Sequence, residues 1–127
     1  MDKTRKEVKI MSMQQIARWR GQTFQSSTGL TTEFASFARD YRRFINSVIP
    51  DDYELVGFNR GHFYVSGFIK HKDKYAYFSC SDVRYFPEEW SENILIRTAN
   101  GPKDYTGGGN RYVNLDTFGG SIVGMLA

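Results

Sequence analysis

At 127 residues, with 17 basic and 14 acidic side chains and a formal net charge of +3, the chain is long enough to bury one apolar core and too short for two ordinary domains. Phe, Tyr and Trp make up 16% of it, which excludes a disordered polar tail, and so mild a charge does not by itself point to nucleic acid. The single cysteine, Cys80, excludes an internal disulfide. With no apolar leader and no run of membrane-spanning length, the sequence predicts an intracellular, cytoplasmic protein that makes no use of a membrane.

Residues 1–11 read as a basic arm. Together with Arg18 and Arg20, its Lys3, Arg5, Lys6 and Lys9 stand against Asp2 and Glu7, a net +4 over the first twenty positions. Ser12 followed by Gln15 fits a capping box and Met11 can staple onto Ile16, so a short helix is expected from Ser12 to Arg20, ended by Gly21. A polar linker, QTFQSSTG, leads to the clearest periodicity in the chain. Phe34, Phe37, Ala38, Tyr41, Phe44, Ile45, Val48 and Ile49 recur at helical spacing. Thr31 or Thr32 caps that long amphipathic helix and Pro50 ends it. Its opposite face carries Arg39, Arg42, Arg43 and Asn46.

After Asp51 the pattern turns to aromatic and branched runs, YELVGF, HFYVSGFIK, KYAYFSC and NILIRTA, the first three separated by NRG and HKDK. These predict four antiparallel strands in meander order, with RYVNL as a fifth. SDVRYFPEEWSEN, broken by Pro87, is an excursion or short helix, and GGSIVGMLA is an uncharged tail that packs on the domain, on a partner or on a second copy, which leaves a homodimer open. The fold class expected is α+β: one domain with arm 1–11, a helical part 12–50, a sheet 51–115 and a tail 116–127, both helices packed on an antiparallel sheet of four or five strands. Strand parity sets Phe63, Val65 and Ile69 on one sheet face and Tyr64 and Phe68 on the other. A face left uncovered would be a docking surface.

The stretch DYTGGGN lacks the strand before, helix after and GK[ST] ending of a phosphate loop, so it reads as a bend flanked by contact residues. Cys80 with His62 or His71, oriented by Asp82, is the one nucleophile arrangement available, but Cys80 shares parity with Ala76 and Phe78 and so faces the core. Glu88, Glu89 and Glu92 read as a solvated acidic face. CxxC and HxxxH are absent, so neither metal nor cofactor is expected.

Two contact surfaces are predicted for a protein partner or nucleic acid. One is Arg18, Trp19, Arg20, Arg39, Arg42 and Arg43, where guanidinium groups meet phosphates or carboxylates; the other is Lys103, Tyr105, Arg111 and Tyr112. The succession GHFYVSGFI, YFSCSDVRYF, ILIRTA and DYTGGGNRYV, over about residues 58–113, resembles small proteins carried by bacterial phages, plasmids and integrated elements. That resemblance implies a non-catalytic product that binds a host protein or nucleoprotein complex, as anti-CRISPR and anti-restriction inhibitors do. A direct DNA- or RNA-binding module and a small enzyme using Cys80 and His62 are the alternatives.

Overall fold

The computed structural model describes residues 5–20, 30–61, 64–81, 89–105 and 108–127, with the backbone alone at 5 and 30–34. The β-rich half forms five strands: β1 (Tyr53–Arg60), β2 (Tyr64–His71), β3 (Lys74–Ser81), β4 (Ile94–Ala99) and β5 (Arg111–Val113). They lie in the order β1-β2-β3-β4-β5, every neighbour antiparallel, as the meander reading expects. Lys72 and Asp73 alone join β2 to β3, and Lys72 takes φ 57°, the left-handed backbone that a two-residue hairpin demands. The NRG turn is corrected, because Asn59 and Arg60 belong to β1. A bulge between Val56 and Asn59, with Gly57 at φ 63°, lets that strand run on.

Among the described residues three helices accompany the sheet, α1 (Arg5–Ala17), α2 (Leu30–Val48) and α3 (Leu115–Leu126), with α1 packed on α2. The first two depart from expectation mainly at their ends. Helix α1 starts at Arg5, within the supposed arm, because Lys, Glu, Ile and Met are all adequate helix formers. Ser12 is therefore a buried mid-helix residue and not a cap, and Trp19 and Arg20 follow in a tightened turn bonded to Ile16 and Ala17. The proposed caps Thr31 and Thr32, the linker QTFQSSTG, His62, Phe63, Asp82, Pro87 and Glu88 lie outside the described side chains.

The segment read as a tail is a helix, and it packs on the domain. Residues 115–126 are helical despite three glycines, since Asn114 accepts from the Thr117 amide at 2.9 Å while the Thr117 hydroxyl accepts from the Asn114 amide at 3.2 Å. Leu115, Phe118, Ile122 and Leu126 form its buried stripe, and Lys74 Nζ donates to the Ala127 carbonyl at 2.8 Å.

One sheet face and the three helices enclose the core. Phe37, Tyr41, Phe44 and Ile45 of α2 meet Val65, Ile69, Phe78 and Ile96 of the strands and Phe118 of α3. Each large apolar side chain buried this way contributes about 1.5–3 kcal/mol. Helices α2 and α3 touch at a point set by Gly119, where a Cβ would lie 2.9 Å from the Val48 carbonyl oxygen. Gly119→Ala is therefore expected to lower stability by about 1–3 kcal/mol in chemical denaturation. Gly120→Ala, one position on and facing open space, should raise it by up to about 1 kcal/mol.

Candidate functional site

Alternation along the strands sends Tyr64, Ser66, Phe68 and Lys70 of β2 away from the helices, level with Ser81, Ser79, Tyr77 and Tyr75 of β3. Arg97 of β4 lies beside Tyr77 on this outer face, and Tyr112 of β5 beside Leu95. The face is not left bare. Phe68 is 1% exposed and Arg97 4%, because the segment from Asn100 folds back over them.

The bonds that hold this segment are few and specific. Arg97 donates to the Asp104 carbonyl at 2.7 Å and to the Thr98 carbonyl at 3.2 Å, with its guanidinium 4.5 Å from the centre of the Tyr77 ring. The Asp104 carboxylate accepts from the Asn100 amide at 2.9 Å and closes the turn. Tyr105 sets its ring edge-on to Phe68 and Tyr77, at 5.4 and 5.9 Å between centroids. Gly108, at φ 75°, passes so close to β4 that a Cβ would lie 2.5 Å from the Thr98 carbonyl oxygen. Gly108 thus serves close packing and a left-handed turn, and Asp104 and Tyr105 are clasped over the sheet.

Tyr105 and Tyr112 remain 57% and 61% exposed, the first with its ring against Phe68 and Tyr77 and the second placed on that face by the pairing of β5, and Tyr64 is exposed at its far end. Lys103 is exposed in the same loop. Arg111 separates from this group, since it pairs with core-facing Ile96 and so belongs to the helix side of the edge strand.

The other predicted surface is divided more deeply. Arg18, Trp19, Arg39 and Asp40 line one cleft of about 310 Å³ between α1 and α2. Trp19 is no exposed stacking platform: its indole packs edge-on to Phe37 at 5.6 Å and donates to Asp40 Oδ2 at 3.0 Å, while Arg39 Nε lies 3.5 Å from the other oxygen. Arg20 donates to the Ser91 hydroxyl at 3.2 Å and sits 4.0 Å from Glu92, which bridges α1 to the turn before β4. Arg42 leans the opposite way, its guanidinium 5.8 Å from the Phe58 ring. Arg43 has no carboxylate partner among the described residues and lines a neighbouring groove with Val8.

The Cys80 thiol is fully buried and donates to the Trp90 carbonyl at 3.4 Å. Beside it the Tyr41 hydroxyl is buried without a hydrogen-bond partner of good geometry, as is Trp90 Nε1. Burial, then the neighbouring Cys80, pushes the Tyr41 hydroxyl well above its ordinary pKa. His71 is at the other end of the sheet, stacked on Tyr53 at 4.0 Å with Nδ1 3.4 Å from Asp52. Cys80 and His71 therefore form no nucleophile pair. Among the described residues no group of three or more His, Cys, Asp or Glu converges as metal ligands, and no helix is long and apolar enough to cross a membrane.

Reading the sequence missed Arg97 and the bond from Trp19 to Asp40. An arginine inside the apolar run ILIRTA was the available signal for the first. Comparison with protein-family models, with curated proteins and with solved structures finds no match to the chain.

Gly108→Ala is expected to lower stability by about 1–3 kcal/mol, through strain at positive φ and the clash with Thr98, and to increase amide exchange across residues 100–105. In the native protein Cys80 should react with a thiol reagent far more slowly than after denaturation; equal rates would show that the thiol is reachable.

Proposed function

We propose that this chain is a non-catalytic binding protein that docks on a host protein or nucleoprotein complex handling nucleic acid. The observation that carries this reading is the pair Tyr105 and Tyr112, largely exposed on one sheet face, where the Tyr105 ring is held against Phe68 and Tyr112 is placed by the pairing of β5. Tyrosine is enriched among interface residues with large energetic weight, because it offers a broad amphipathic surface with little side-chain entropy to lose. A ring already held against the sheet before binding keeps affinity that a mobile one would spend on ordering. The class of partner rests on the resemblance of residues 58–113 to proteins of mobile elements, which supports an inhibitor of anti-CRISPR or anti-restriction type. The burial of Cys80 supports the non-catalytic part.

The test is an affinity pulldown from bacterial lysate with and without nuclease, run for the wild type and for Tyr105→Ala/Tyr112→Ala. The expected result is a stoichiometric protein that survives nuclease and is depleted about tenfold or more by the double substitution. Recovery of nucleic acid alone, lost with added salt and in Arg39→Ala/Arg42→Ala/Arg43→Ala, would replace this reading with direct nucleic-acid binding.

A further inference from the structure

Of the six asparagines in the chain, only Asn100 is followed by glycine. That pairing matters because the backbone amide of the next residue can attack the side-chain carboxamide, and a glycine leaves the approach uncrowded. Asn100 is exposed, directly after β4. Its own amide donates to Asp104 Oδ2 at 2.9 Å, and the Gly101 carbonyl accepts from the Asp104 amide at 3.2 Å. Among the described residues neither the Asn100 carboxamide nor the Gly101 amide has a hydrogen-bond partner. A Cβ on Gly101 would meet nothing within 4 Å. Asn59 and Asn114, by contrast, precede Arg60 and Leu115 and commit their side chains to Gly57 and Thr117. The two groups that must meet at Asn100 are therefore uncommitted, on a turn whose ends are tied.

We propose that Asn100 and Gly101 form a self-modifying site, where the chain converts its own asparagine to aspartate and isoaspartate and so loosens the turn that seats Tyr105. The Gly101 nitrogen attacks Asn100 Cγ. The N–Cγ bond forms, the Cγ–Nδ2 bond breaks, and Nδ2 leaves as ammonia with the amide proton. Water then opens the cyclic imide. Cleavage at Cγ gives aspartate, whereas cleavage at the main-chain carbonyl carbon gives isoaspartate, with the backbone rerouted through the side chain and lengthened by a methylene. Either product carries a new carboxylate beside that of Asp104, and like charges at this range repel. Lys74, the cation that shares a concavity with residue 100, already donates to the Ala127 carbonyl. The added methylene also changes the spacing between the Asn100 amide and the Gly101 carbonyl, the two groups that hold Asp104. Asp104 offers its own carbonyl to Arg97 at 2.7 Å, so the change reaches the arginine and, one residue on, the Tyr105 ring. The chemistry needs no partner, so it stands or falls separately from the reading of the tyrosine face.

The test ages the full chain at neutral pH for several weeks, native and in denaturant, and digests samples with trypsin, which releases Thr98–Lys103. Mass spectrometry reads the exchange of amide for acid, and labelling by an isoaspartyl methyltransferase reads the isomer. Native conversion at Asn100 is expected within about tenfold of the rate in the unfolded chain, and slowed about tenfold or more by Gly101→Ala. Aged wild type and fresh Asn100→Asp should exchange amides across residues 100–105 faster than fresh wild type, and aged Gly101→Ala should not. Position 100 is exposed and Gly101 faces open space, and a retained cooperative melting transition will show that both variants fold. The inference is overturned if native Asn100 stays intact, if Gly101→Ala converts as fast as wild type, or if the converted chain exchanges like fresh protein.

Discussion

Everything in this fold is built outward from one ring. Phe78, in the middle strand of the meander, meets Tyr41 of α2 at 6.2 Å, Phe58 of β1 at 6.3 Å and Phe118 of α3 at 5.8 Å between centroids. It reaches them because its neighbour across the β2–β3 ladder is Gly67, where a Cβ would lie 3.0 Å from the Phe78 ring. A glycine in a strand interior weakens the strand, but here the ring that fills its place joins two helices and an outer strand to the centre of the sheet. Shape at one position therefore sets where three elements dock.

From that centre the two faces of the sheet are closed by different means. On one, α2 and α3 supply aromatic bulk. On the other, the turn from Asn100 to Tyr105 is drawn down by Arg97, whose guanidinium donates to backbone carbonyls and lies over the Tyr77 ring. A buried guanidinium is costly without such partners, so the loop and the arginine depend on each other. The same arrangement leaves Tyr105 with one ring edge packed and the rest free to touch another molecule.

Reading the residues alone reached the strands, their order and α2, because aromatic and branched runs cut by short polar turns, and a sustained helical period, are local signals. It failed at α3, where Gly119, Gly120 and Gly124 hid a helix. The signal was present in Asn114 and Thr117, which close a reciprocal cap, and in Leu115, Phe118 and Ile122, which keep one face apolar. Glycine lowers local propensity, but a close helix crossing can require it, and only the partner at Val48 reveals which case applies. The two contact surfaces were legible as residue types and not as groups. Arg42 with Phe58, Arg20 with Ser91 and Arg111 on the helix side were separated from their sequence neighbours by tertiary partners that no local pattern specifies.

An open meander has two free edges, and both are poor templates here. Strand β5 offers only Arg111–Val113, and β1 is broken by its bulge at Gly57, which interrupts the row of amides and carbonyls a further strand would need. Recognition by adding a strand, which reads backbone and is tolerant of sequence, is thereby discouraged at either end. What the sheet offers at its edges is side-chain chemistry, and any chain that met it there would be selected by shape and charge instead of by the peptide bonds that every protein shares.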